Sequence, residues 1–349
     1  MSALKWLELT TGKLTRLKSA FAHAKLVNTK LAGRLLIALL VFLPLTTHAS
    51  NTPSVNVAVA ANFAKPLRII ADEFTELTGY NVVVSVSSSG TLFAQIQHGA
   101  QFDIFMSADH ARPQALADTK LVHADNVVNY ALGRLAFVYT NHSGGVLNSL
   151  NGNSSAADSS ENTNSEQAIS YKALRNVFNE VMSTHNAKLA VANAKLAPYG
   201  VAAEEVIKAL NHDYKAGHKP LFSIVKGKNV LQAYQFFTTG SVAGAFVAYS
   251  LSSIDNGSAQ YGSSVLVPSE LHAPIVQALA INEREKAQLS PNVFNALDDA
   301  ADLDGAVFDN SISPSHLFVQ YLLSKHVQQR LPAWGYQAVH LKQHNENTL

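Results

Sequence analysis

The chain has 349 residues, 47% of them hydrophobic and 15% charged, with 18 Gly, 11 Pro and no Cys. It is too apolar to be disordered and long enough for about two domains, and the lack of thiols excludes disulfides, thiolate metal sites, Cys nucleophiles and thiol-anchored lipids. The formal charge of +1 hides an asymmetry: seven basic residues and one acidic residue fall in the first 49, leaving a remainder of −5, which argues against nucleic acid or an anionic membrane as main partner.

Leu35 to Leu45 (LLIALLVFLPL) is an apolar run that follows Arg34 and precedes Thr47-His48-Ala49. It is well short of the about 20 residues a membrane span needs. A basic region, an apolar stretch and small residues in that order form a secretory signal, the competing reading being a buried core helix. Residues 1–49 are therefore expected to be a signal peptide, cut near Ala49 to release a free product. The long basic region suggests a true start downstream of Met1, and no Cys follows to carry a lipid.

Val55 to Ala60 reads as a buried strand. Phe63, Leu67, Ile70, Phe74 and Leu77 share one helical face, and Gly79 caps that helix. Asn81 to Ser87 is the next strand, Thr91 to His98 a helix and Asp103 to Met106 a third strand. This alternation predicts a parallel α/β sheet with right-handed crossovers. Leu135 to Tyr139 is again a strand. The segment 141–170 that follows is rich in Asn and Ser, cannot support a core and is expected to be an exposed, mobile insertion. Strands then recur at Leu189 to Ala192, Phe222 to Val225, Gly244 to Ala248, Val265 to Val267 and Ile275 to Ile281. Helices are predicted at Val201 to Leu210, Val230 to Thr238, Ser315 to Leu323 and His326 to Leu331.

Four strand-to-helix junctions share one design. Ala60-Ala61-Asn62-Phe63, Ser87-Ser88-Ser89-Gly90-Thr91, Ala197-Pro198-Tyr199-Gly200 and Gly227-Lys228-Asn229-Val230 each set small or glycine neighbours beside a helix start. The first N–H groups of a helix have no internal acceptor, and the helix dipole adds positive charge there. Such ends bind anions without a formal cation. Ordinary N-capping accounts for any one junction alone. Together they lie at the carboxyl ends of strands, where doubly wound sheets bind ligands.

The strings VNVAVAANFAKPL, SSSGTLFAQIQHGAQFDIFMSADH, LAPYG, KNVLQAYQFFTTGSVAGAFVAYS and VQQRLPAWGYQ resemble the periplasmic molybdate-binding proteins of molybdate ABC importers, over roughly Val55 to Gln337. The resemblance implies a two-lobed type II periplasmic-binding-protein fold, each lobe a mostly parallel sheet flanked by helices. Lobe one would be 50–133 plus 250–349, and lobe two 134–249. It also implies an oxyanion in the cleft, molybdate or tungstate, bound by the Asn62 side chain, by Ser89 and by the backbone N–H groups of Tyr199 and Val230. No cofactor and no direct cation site are implied. The partners would be the oxyanion and a membrane permease, and the protein would be a monomer in the periplasm. Some relatives use a Tyr hydroxyl where Ala248 stands here. Tyr249 is one residue later, on the opposite strand face, and is not counted as a ligand.

Other constellations are weaker. The 14 His include no HExxH pair, and His98 and His110 read as surface residues. Asp302-Leu303-Asp304-Gly305 lacks a calcium ligand at Ala300 and reads as a solvated turn. Without a GxSxG elbow, Ser89 is no convincing nucleophile. Lys226 and Lys228 read as a solvated pair, and Trp334 and Tyr336 as packing for the C-terminal helix. The alternatives to molybdate capture are a binding protein for another tetrahedral oxyanion such as sulfate, and an exported hydrolase, which would need a nucleophile beside a base.

Overall fold

The computed structural model describes residues 54–141, 169–210, 222–253, 260–283 and 312–339. The expected signal peptide, most of the 141–170 insertion and the 302–305 turn lie outside them. In chain order the elements are β1 (Ser54–Ala60), α1 (Ala64–Thr78), β2 (Asn81–Ser87), α2 (Ser89–Gln97), β3 (Ile104–Met106), α3 (Ala111–Asp118), β4 (Val127–Gly133) and β5 (Leu135–Tyr139). They continue with α4 (Tyr171–Met182), β6 (Lys188–Ala192), α5 (Pro198–Leu210), β7 (Ser223–Gly227), α6 (Val230–Thr238), β8 (Gly244–Ala248) and α7 (Tyr249–Ser253). The last are β9 (Ser263–Leu266), β10 (Ile275–Ile281), α8 (Pro314–Leu323) and α9 (Lys325–Gln328).

Two five-stranded sheets result, in the orders β2-β1-β3-β10-β4 and β7-β6-β8-β5-β9. In the first, β10 runs against both neighbours; in the second, β5 does. Four strands of each sheet thus share a direction and one is reversed, so each sheet is mixed at the level of strand pairs. The chain leaves the first sheet at Gly133, enters the second at Leu135 and returns between Leu266 and Ile275. Residues 263–266, placed in lobe one by a boundary at 250, pair with β5 as β9 of the second sheet. The cause is local: Ser263 to Leu266 lie antiparallel to Ala136–Tyr139 and lengthen that sheet.

Strand periodicity divides the first sheet between two core layers. Val55, Val57 and Val59 pack on the face covered by α1 and α8. Ala58, Phe105 and Ala280 face Leu92, Ile96 and Leu116 of α2 and α3. Side chains alternate across a strand, so one apolar run feeds both layers. A single larger cluster built on Phe137, Phe178, Phe246 and Val206 forms the core of the second lobe. In α4, Leu174, Val177, Phe178 and Val181 are buried at helical spacing. The sequence reading did not mark this helix, nor α3, β4 and α7. In α4 the 3–4 period was present but followed directly on the Ser/Asn-rich stretch.

Glu73 of α1 ties the N-terminal helix to the end of the chain. Arg330 holds its carboxylate with both guanidinium nitrogens, at 2.6 and 2.7 Å, and the Tyr321 hydroxyl donates at 3.1 Å. Burial opposes the charge on Glu73, but the hydrogen bonds and charge of Arg330 outweigh it and hold the carboxyl below its ordinary range. A lowered carboxyl stabilises the fold above the unfolded-state pKa, and that contribution disappears as pH falls through the folded-state value. The pair is partly exposed, so Glu73→Gln should cost about 0.5–1 kcal/mol at neutral pH. Urea unfolding at neutral and acidic pH should show the gap between parent and variant closing in acid.

Candidate functional site

Strand register brings the junctions together in pairs. Ala60 and Ser87 are partners at the last step of the β1–β2 ladder. Asn62 and Ser89 therefore leave adjacent strands at the same end. Ala192 and Gly227 are partners at the end of β6–β7, and Asn193 N–H donates to Gly227 O at 2.8 Å, which sets the approach to Tyr199 beside the start of α6. The two pairs meet across the cleft: Gly90 N–H donates to Leu196 O at 2.8 Å. A Cβ at Gly90 would lie 3.0 Å from Leu196 Cα, so the close approach needs glycine. Arg112, paired with Asp109, reaches Lys195 O at 3.4 Å beside this contact.

All four predicted residues are enclosed: Asn62, Ser89 and Tyr199 are 1% exposed and Val230 3%. Ser89 and Val230 are the first residues of α2 and α6, and Tyr199 is the second of α5. None of the four backbone N–H groups has an acceptor among the described residues. The caps at Ser88 and Asn229 satisfy other donors, Thr91 N–H at 3.2 Å and Gln232 N–H at 2.9 Å. Ser89 Oγ accepts Ala108 N–H at 2.9 Å. One of its two lone pairs is thereby occupied, and its proton has no acceptor among the described residues.

Asn62 departs from the expectation. Its side-chain N–H groups go to Gln277 Oε1 at 2.7 Å and to the Tyr336 hydroxyl at 3.2 Å. A carboxamide has two such hydrogens, so in this arrangement the side chain is a brace and the backbone N–H is the donor left over. Its carbonyl accepts from Tyr336 at 2.7 Å and from Ser250 Oγ at 3.1 Å. Tyr336 was expected only to pack a helix, and Ser250 and Gln277 were not singled out. Gln277 is fully buried in β10, where the β10–β4 register shifts between Gln277 and Ala278 and leaves Tyr130 without a partner in the ladder. The bulge turns the Tyr130 hydroxyl onto Gln277 Oε1 at 2.9 Å. Sequence periodicity carries no sign of it.

Tyr199 closes the network from the other lobe. Its hydroxyl accepts from Gln277 Nε2 at 3.2 Å and lies against Gly133, where a Cβ would overlap it. Burial pushes the Tyr199 and Tyr130 phenols well above their ordinary value, with neighbouring Tyr336 adding to the shift. Burial likewise raises Tyr336. The network therefore stays uncharged through the physiological range.

The remaining predictions resolve simply. Ala248 is fully buried at the end of β8; the Tyr249 ring lies under Arg134, 5.1 Å from its guanidinium carbon. Lys226 pairs with Glu204 at 3.0 Å, and Lys228 is exposed. His98 and His110 are exposed. Among the described residues no group of three or more His, Cys, Asp or Glu could hold a metal ion, and no helix is long and apolar enough to cross a membrane. A cleft of about 410 Å³ beside the chain crossings, with Arg134, His272 and Gln337 on its walls, contains none of the four residues.

Two α/β lobes that enclose main-chain donors between them define a ligand-clamping protein. A family model described as bacterial extracellular solute-binding protein matches residues 55–337, and the chain belongs to that family. It is 32% identical over 243 residues to the molybdate-binding protein ModA of Azotobacter vinelandii, covering 68% of this chain and 81% of that one. It is 33% identical over 250 residues to ModA of Rhodobacter capsulatus, covering 72% and 83%. The fold matches the solved periplasmic molybdate-binding protein of Azotobacter vinelandii with a TM-score of 0.56 at 23% identity, over 81% of this chain and 98% of that one. It also matches the sulfate-binding protein SubI of Mycobacterium tuberculosis, with a TM-score of 0.51 at 12% identity, over 82% and 87%.

Gly133 is the tightest point of the crossing. Gly133→Ala sets a methyl group against the Tyr199 hydroxyl and 2.7 Å from Gln277 Nε2. It should destabilise the protein by about 1–3 kcal/mol, read as a lower midpoint in urea.

Proposed function

We propose that this protein is the periplasmic substrate-binding protein of an ABC importer, and that it captures molybdate or tungstate between its lobes and delivers it to a membrane permease. The observation that carries the reading is the enclosure of four backbone N–H groups, from Asn62, Ser89, Tyr199 and Val230, that have no acceptor among the described residues. The ModA relatives, similar over most of their length, support molybdate as the cargo.

A doubly negative oxyanion would accept from these groups through charge-assisted bonds, which are about twice as strong as neutral ones. Three of the four donors stand in the first turn of a helix, where the dipole favours negative charge. Two belong to each lobe, so the anion would bridge the lobes and favour the closed arrangement through its differential affinity. Neutral donors hold the anion without an ion pair that would resist release. No resident cofactor enters this scheme, and the anion is cargo. The protein would act as a monomer and would be exported by its N-terminal 49 residues.

A hydrolase is disfavoured by the relatives, which are solute-binding proteins, and by Ser89 Oγ, whose partner is a backbone N–H. Sulfate is the competing ligand, since charge and shape are shared and cavity size must discriminate.

Titration calorimetry of the exported chain with molybdate, tungstate, sulfate and phosphate tests the reading. The first two should bind tightly and the others far more weakly, while ester turnover without oxyanion binding would overturn it. Ser89→Ala removes one donor to a charged group and should weaken molybdate binding by about 1.5–3 kcal/mol. An unchanged affinity would remove Ser89 from the site.

A further inference from the structure

We infer that Gln277, which touches no ligand in this scheme, is a positioning residue that sets the separation of the two lobes' donors and thereby the size of oxyanion accepted. The inference rests on the oxyanion-binding reading above. Among the described residues, the Gln277 carboxamide is the one group that joins the side chains of two candidate donor residues from opposite lobes. Its Oε1 accepts Asn62 Nδ2 at 2.7 Å, and its Nε2 donates to the Tyr199 hydroxyl at 3.2 Å. The Tyr130 hydroxyl, whose proton is shared between Ser107 O at 3.1 Å and the same oxygen at 2.9 Å, supports the amide's orientation. All four side chains are buried, so no bond in this chain can be exchanged for water at low cost.

The geometry makes a stop. The Tyr199 ring is held between Gln277 and Gly133 at the crossing, and its backbone N–H stands in the first turn of α5. Asn62 is held by Gln277, Tyr336 and Ser250 in the other lobe. The distance across the cleft between Asn62 N–H and Tyr199 N–H is therefore coupled to one amide, which acts alongside the Gly90–Leu196 contact. A clamp that halts at a fixed separation favours the anion matching it. Without the stop, the lobes can settle around a smaller anion, and the preference for the larger one shrinks.

The test uses the full exported chain and two variants, Gln277→Met and Gln277→Glu, with molybdate titrated directly and sulfate read by competition. Gln277→Met keeps length and removes every hydrogen bond. It should weaken molybdate binding by about tenfold, the scale of one lost bond, and lower the molybdate-to-sulfate preference. A role confined to stability would lower the melting temperature of the ligand-free protein and leave that preference unchanged, which would overturn the inference.

Gln277→Glu covers a Met variant that does not fold and a sulfate affinity too weak to read. Protonated Glu reproduces the acceptor and donor of the amide, whereas the carboxylate sets a negative charge beside the anion. Relative to the parent, its molybdate affinity should rise about tenfold or more from about pH 8 to about pH 5; a ratio that is flat with pH would overturn the assignment. A parent that binds no oxyanion overturns the functional reading and this one with it. A parent that binds, with both variants at parental affinity and preference, overturns this one alone.

Discussion

Polar backbone groups removed from water must find partners, and this constraint organises the molecule. Helix starts carry N–H groups that the helix itself cannot satisfy. Here the starts of α2, α5 and α6, with Asn62 just ahead of α1, are buried against one another. Their neighbours are consumed by the protein: Ser88 and Asn229 cap, and Gly90 N–H reaches across to Leu196. What remains is a small set of enclosed donors with no acceptor among the described residues. A ligand that accepts from all of them settles a cost the closed fold would otherwise carry.

The machinery around those donors is itself neutral. Tyr130, Tyr199, Tyr336, Gln277, Ser250 and Asn62 form a hydrogen-bonded group at the chain crossing in which burial raises the three phenols. A buried cation would attract the anion more strongly, but its own desolvation would cost several kcal/mol without a partner. Arg112, beside the Gly90–Leu196 contact, is already matched by Asp109. The fold thus separates tasks: main-chain donors stay open at the cleft, and side chains hold the main chain in place.

Much of this was legible in the sequence because it rests on short-range patterns. The strands at Asn81–Ser87, Leu135–Tyr139, Gly244–Ala248 and Ile275–Ile281 carry dense β-branched or apolar runs, and the four junctions show small residues before helical periodicity. The structure places each junction where strand ends converge. The illegible parts depend on distant residues. The brace on Asn62 comes from Gln277 and Tyr336, more than two hundred positions away. The bulge that frees Tyr130 has no local mark. The lobe boundary moved because β9 is short and weakly patterned, and only its ladder with β5 identifies its sheet.

The course of β5 has a consequence for how such a chain can be altered. Leu135 stands at the crossing and Tyr139 at the other end of the same strand, remote from the Ala192 and Gly227 strand ends. Ser170 caps α4 by accepting Ala173 N–H at 3.2 Å. Asn141, exposed at the Tyr139 end, is thus a place where a label would ride on the second lobe and leave the four junctions untouched.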